Sequence, residues 1–198
     1  MDSLKEIKNE IVIKNQENLV VPLKYLGLDQ YPIYKGMLGI FQGLITPNYE
    51  VLDVGCGNKI LTRFIKCKKL VGIDIHEDYL TKFDVHGDIR NLSKLFKEKS
   101  FDCLFCTDVI EHLTNTEGIQ LMKDMERIAR KKVIIFTPTT WNNNEDASKN
   151  PAHWSFGNPY QNHKSLWSEN DFTSQGYYRM QTVYNNDYIV VIKTLGGD

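Results

Sequence analysis

The 198 residues contain no block of like charges, no internal repeat, no Gly/Ser-rich linker and no apolar run beyond strand length, Val133 to Phe136 being typical of the longest. Each absence removes a class of protein. With 24 Lys+Arg against 25 Asp+Glu and a formal net charge of -1, nothing advertises nucleic acid or an anionic membrane as a partner. The first residues, MDSLKEIKNEIVIKNQ, mix charges of both signs and hold no apolar core of signal-peptide length, so a cytoplasmic protein without a membrane span is expected. Cysteine is scarce. Cys103 and Cys106 form a C-x-x-C, but in FDCLFCTD it reads as part of a strand, where a three-residue step sends the side chains to opposite faces. A shared metal or a disulfide is therefore disfavoured, and Cys56, Cys67, Cys103 and Cys106 read as small core residues.

What is present is ordinary globular composition, 41% hydrophobic and 25% charged, over the length of a single domain. From about residue 49 onward EVLDV, LVGIDI, KFDVHGD, FDCLFC and KVIIFTP read as strands, with helical stretches expected at 59–66, 77–80, 91–97 and 116–130. The last is the clearest, because Ile119, Met122, Met125, Ile128 and Ala129 recur at three- or four-residue steps. Strands that are apolar throughout, separated by helices, predict a parallel two-sided sheet with right-handed crossovers. GYYRMQTVY and DYIVVIKTL, joined by Asn185, Asn186 and Asp187, predict a closing antiparallel hairpin. The expected fold is α/β: a Rossmann-like, seven-stranded, mostly parallel sheet with helices on both faces. Residues 1–48 form an N-terminal helical or lid segment, 49–198 the core, and 138–163 a loop long enough to be functional.

One further absence bears on chemistry. EVLDVGCGNKIL has two glycines of the dinucleotide fingerprint G-x-G-x-x-G, but Ile60 stands where the third should allow a helix close to the strand and to a pyrophosphate. Ligands of such sheets sit at the carboxyl ends of the strands, and there this chain places Asp53, Asp74, Asp88, Asp108 and Glu111. Buried carboxylates without partners are costly, so this floor suits a cofactor that lacks phosphates and carries positive charge. Asp74, about 20 residues past the glycines, is placed to accept from ribose hydroxyls. Taken singly, the glycines also suit an ordinary strand-to-helix turn, and Asp74 and Asp88 suit helix caps.

In order, VLDVGCGN, VGIDI, GDI, FDCLFCTDVIEHL, KVIIFTPT and HKSLWSENDF resemble a class I S-adenosylmethionine-dependent methyltransferase of the type 11 group, over residues 49 to 195. The resemblance implies S-adenosyl-L-methionine as cofactor. It implies that Gly55 and Gly57 let the backbone approach the methionine tail, that Asp53 orients its ammonium, and that Asp74, with Ile75 beside it, takes the ribose. It further implies Asp88 on the adenine amino group, an Ile89 N–H to the ring, and Thr107 and Asp108 along the methionine moiety.

Methyl transfer asks the protein to hold an acceptor at attack distance and, for an oxygen acceptor, to remove a proton. His163, Glu111 and His112 are the expected catalytic or acceptor-orienting residues, with His153 and Tyr160 as further candidates. A narrower resemblance, to small-RNA 3′-end 2′-O-methyltransferases, maps a metal-binding set onto Asp108, Glu111, His112 and His163, with Asp108 replacing a glutamate. A divalent metal is therefore conceivable but not favoured, since no RNA-binding surface accompanies it, and no metal ligand is assigned. The expected acceptor is a small polar molecule, methylated at oxygen or nitrogen; a non-catalytic cofactor-binding subunit is another reading. Trp141, Trp154, Phe156 and Tyr160 are expected around the acceptor pocket, whereas Trp167 before Ser168 reads as a hydrophobic staple on a capped helix. Tyr31 and Tyr34 suit the active site or the core equally.

Overall fold

A computed structural model of the chain describes residues 4–7, 10–13, 20–22, 32–141, 149, 156–180 and 187–196. The main sheet has seven strands, β4 (Glu50–Val54), β5 (Lys69–Asp74), β6 (Val85–His86), β7 (Phe101–Thr107), β8 (Ala129–Pro138), β9 (Tyr178–Met180) and β10 (Tyr188–Thr194), in the order β6-β5-β4-β7-β8-β10-β9. β6 through β8 are parallel, and β10 runs antiparallel between β8 and β9. The closing hairpin is as expected, although Asn185 and Asn186 lie outside the described residues.

Alternation along the strands divides the core. On one face Val54, Ile73, Leu104, Cys106 and Ile135 meet Leu121, Met122, Met125 and Ile128 of a helix, α3 (Asn115–Ile128). On the other, Val51, Cys103, Phe105, Ile134 and Ile192 meet Met37 and Phe41 of α1 (Pro32–Leu44). Cys103 and Cys106 thus sit in opposite halves of the core, both as free thiols. α3 begins on a reciprocal capping box between Thr114 and Glu117 and runs directly into β8. Gly118 is where it meets the indole of Trp167, because a Cβ there would lie 2.3 Å from Cζ2. Trp167 in turn stacks on Phe172 at 5.4 Å, bracketing Ser168, which caps the short α4 (Glu169–Thr173) as the staple pattern predicts. No described helix is long and apolar enough to cross a membrane.

Three expectations are corrected. The first segment is not helical throughout: β1 (Leu4–Ile7), β2 (Glu10–Ile13) and β3 (Val20–Pro22) form a small antiparallel sheet, in keeping with the β-branched EIVI and VVP, and among its described residues only α1 is helical. The stretch 59–66 is not a helix but a turn followed by one 3-10 turn at Thr62–Phe64. Ile60 therefore does not hold a helix away from the strand, since no helix is there to need a third glycine. The stretch 91–97 shortens to α2 (Leu92–Leu95), behind a 3-10 turn at Ile89–Asn91.

Candidate active site

The connection after β4 leads to β5 on one side, while β7 lies on the other, so the chain switches direction beside β4. A crevice is expected at the carboxyl ends of those strands. A cavity of about 470 Å³ lies there. Its walls come from the segments following β4, β5, β6, β7 and β8, from Tyr34 of α1, from Tyr188 of β10 and from the returning segment Asn158–Lys164.

Backbone geometry shapes the first wall. Gly55 and Gly57 have φ of +70° and +45°, values only glycine adopts at no cost, and a Cβ on Gly55 would lie 2.6 Å from the Val109 methyls. Gly57 N–H donates to Asp74 Oδ2 at 2.8 Å, and His76 N–H to Asp74 Oδ1 at 2.9 Å. The loop between them is pinned from behind by Lys59, whose ammonium pairs with Asp84 while Asp84 also accepts from the N–H of Gly72 and of Thr81. Gly72 is required for this approach, because a Cβ would lie 2.6 Å from Lys59 Cε.

The acids differ in state according to their surroundings. Asp53 is 1% exposed and accepts from Thr62 Oγ1 through Oδ2, yet Oδ1 has no hydrogen-bond partner among the described residues. Burial pushes its carboxyl up to about 7, against the opposing effects of Thr62 and Lys59. Asp74 is raised by burial, with the His76 and Gly57 N–H bonds restraining the shift. Asp88 is the exception: Arg90 grips it with two guanidinium nitrogens and holds it below the ordinary range. It also accepts from the Arg90 N–H, so the capping reading and the cavity reading both hold for it.

At the other end, Asp108 has φ +51° and accepts from the Tyr34 hydroxyl, while burial raises its carboxyl. Glu111, 2% exposed, accepts from Thr137 Oγ1 at 2.8 Å and is raised by burial and by the charge of Asp108. The rings of His112 and His163 meet edge to face at 4.9 Å. Burial, and then His163, push His112 down to about 4, and burial lowers His163 as well. His112 Nδ1 lies 3.3 Å from the Asn162 carbonyl, which can only accept. Nδ1 therefore carries the proton and Nε2 is the basic nitrogen. Glu111, His112 and His163 each offer one ligand atom, all within 4.8 Å of one another, so among the described residues these three are the set that could hold a metal. Asp108 is not in that set.

The cavity thus gathers every expected cofactor residue, Asp53, Gly55, Gly57, Asp74, Ile75, Asp88, Ile89, Thr107 and Asp108, together with Glu111, His112 and His163. Tyr160 lines it, Trp141 stands edge to face with His163 at 6.4 Å, and Phe156 is exposed and not among its lining residues. His153, Trp154 and Tyr31 lie outside the described residues. Sequence reasoning missed Tyr188, whose ring stacks on Phe136 at 4.9 Å, along with Thr137, Asn158 and Lys59. Asn158 had a readable signal: it is buried, precedes a proline and caps the turn at Pro159–Gln161.

Residues 52–137 match the model of a methyltransferase domain family. No curated protein sequence is significantly similar to the chain. Among solved structures, the PH0226 protein of Pyrococcus horikoshii OT3 superposes with a TM-score of 0.63 at 17% identity, over 85% of this chain and 92% of that one. Magnesium protoporphyrin IX methyltransferase of Synechocystis PCC 6803, with bound SAH, gives 0.56 at 14%, over 87% and 86%. N-methyltransferase NodS of Bradyrhizobium japonicum WM9 gives 0.54 at 12%, over 85% and 97%. At such identities the likeness is one of fold. Residues 52–137 thus resemble a methyltransferase domain, and the sheet order is that of the Rossmann-like fold these solved structures share.

Proposed function

We propose that this methyltransferase binds S-adenosylmethionine along the acidic wall of the cavity and methylates an oxygen or nitrogen atom of a small polar acceptor beside His163. The observation that carries the cofactor placement is the buried Asp53 Oδ1, which has no hydrogen-bond partner among the described residues, in a cavity that also holds Asp74 and Asp108. Such an oxygen is costly until a cation meets it. Asp53 and the Gly55–Gly57 backbone hold the amino-acid end, Asp74 accepts from the ribose, and Asp88 and Ile89 meet the adenine. Thr107 and Asp108 flank the sulfur. The bound cofactor supplies an electrophilic methyl group.

His163 is suited to be the general base. Its lowered proton affinity keeps the imidazole neutral at pH 7, ready to accept a proton, whereas Glu111 is raised and already holds one. His112, with Nε2 basic and its ring against His163, orients it. One cavity of about 470 Å³ must hold cofactor and acceptor together, which favours a small acceptor. On this reading the chain is one methyltransferase domain, with 49–198 as its core.

A second reading rests on the convergence of Glu111, His112 and His163 within 4.8 Å, an arrangement a divalent cation would accept, with acceptor hydroxyls completing the shell. Release of S-adenosylhomocysteine from a panel of hydroxyl- and amine-bearing metabolites and sugars, with and without EDTA, separates the two. We expect turnover that EDTA leaves within about twofold, against the 10²–10⁴-fold that a required base or ion is worth. Turnover abolished by EDTA and restored by manganese would replace the base mechanism with the metal one.

A further inference from the structure

Outside the region matched by the family model, one side chain among the described residues enters the cavity from the N-terminal side: Tyr34, in the first turn of α1. Its hydroxyl donates to Asp108 Oδ2, across 74 residues of sequence. Helix packing sets where that hydroxyl can be. Met37 and Phe41, one and two turns further along α1, are buried in the sheet's core, Phe41 lying 5.0 Å from the Phe105 ring and 6.4 Å from that of Phe136. The Tyr34 ring itself stands edge-on to Phe136 at 6.2 Å.

Asp108 needs such a partner. Its φ of +51° puts a non-glycine residue in the left-handed region, a conformation of order 1 kcal/mol or more above the ordinary one. Two bonds hold it there: its own N–H donates to the Phe136 carbonyl at 2.9 Å, and its carboxylate accepts from Tyr34. The first fixes the backbone and the second the plane of the carboxylate. Glu111 and His112 from the following turn and Tyr188 from β10 also line this end of the cavity.

We propose that Tyr34 is a positioning residue, which holds the Asp108 carboxylate toward the cofactor's sulfur and makes α1 a working part of the active site. The proposal rests on the cofactor placement argued above. It also explains why a strained aspartate is tolerated directly after β7: the strain directs a carboxylate into the cavity, and the tyrosine keeps it there.

The test compares the charged sulfonium of S-adenosylmethionine with the neutral sulfide of S-adenosylhomocysteine, by calorimetry at one pH, on the wild type, Tyr34→Phe, Asp108→Asn and the double variant. Phenylalanine keeps the ring and removes the hydroxyl. We expect Tyr34→Phe to weaken S-adenosylmethionine at least about tenfold, as loss of a hydrogen bond to a charged group does, while S-adenosylhomocysteine changes less than about twofold. Asp108→Asn should discriminate at least as strongly, and Tyr34→Phe should add nothing to it. A merely structural tyrosine would weaken both ligands alike, or add to the effect of Asp108→Asn, and either result overturns the proposal, as does no change at all. If Asp108→Asn itself fails to discriminate, the placement of the sulfur is wrong and the proposal falls with it. If the wild type binds neither ligand, the cofactor reading fails first.

Discussion

Asp74→Ala is expected to weaken S-adenosylmethionine binding at least about 100-fold, the loss of two charge-assisted hydrogen bonds at roughly 1.5–3 kcal/mol each. The residue does two things. Toward the protein, its two oxygens accept from Gly57 N–H at 2.8 Å and His76 N–H at 2.9 Å and so tie the glycine loop to the end of β5. Toward the cavity, which it lines, the same carboxylate has lone pairs left, and the proposed placement gives these to the ribose hydroxyls. Alanine removes both functions, and Gly57, already at φ +45°, loses its anchor. Calorimetry measures the affinity, and a melting curve shows whether the fold survives. A Kd within threefold of wild type would mean that the cofactor does not lie against β5.

His163→Ala is expected to lower kcat by about 10²–10³-fold while leaving the S-adenosylmethionine Kd within about threefold, the pattern of a lost general base. Single-turnover release of S-adenosylhomocysteine measures it, with an acceptor identified from the panel above. Glu111→Gln provides the contrast. A carboxyl held protonated at neutral pH and accepting from Thr137 is closely mimicked by an amide, so under the base mechanism the change is mild. As a metal ligand Glu111 could not be so replaced, and kcat would fall as steeply as for His163→Ala. Undiminished turnover in His163→Ala would remove it from the chemistry.

The fold was legible where the physics is local or strongly periodic. Met122, Met125 and Ile128 repeat at helical spacing and do face the sheet, whereas Ile119 is only partly buried and Ala129 already belongs to β8; the Trp167-Ser168-Asp171 cap needs only five neighbouring residues to be recognised. The segment after β4 was misread because its apolar residues, Leu61 and Ile65, are spaced as in a helix although the chain closes there through a 3-10 turn. What decides that turn is distant: Lys59, at φ +53°, is drawn into a buried pair with Asp84. Neither residue advertises the other.

The site divides the same way. Acids following strands could be read as the floor of a crevice, because a parallel sheet brings its carboxyl ends together whatever the loops do. Which groups touch could not be read. The bonds from Tyr34 to Asp108 and from Thr137 to Glu111 span 74 and 26 residues, and only folding joins them. The first strands were equally opaque, since EIVI and VVP carry a β signal too short to outweigh the expectation of a helical lid.

The central claim is that the acidic crevice beside β4 receives a cationic cofactor rather than a dinucleotide. Calorimetry of the wild-type protein with S-adenosylmethionine and with NAD, in two buffers of different ionisation enthalpy at pH 6.5 and 8, tests it most directly. Asp53 and Asp108, each raised to about 7, are largely protonated at pH 6.5 and must ionise to meet an ammonium and a sulfonium. S-adenosylmethionine should therefore bind with release of roughly one to two protons at pH 6.5, and more tightly at pH 8. NAD, with its anionic pyrophosphate, should bind at least about 100-fold more weakly, a gap of some 2.7 kcal/mol. NAD binding tighter than S-adenosylmethionine would contradict the account.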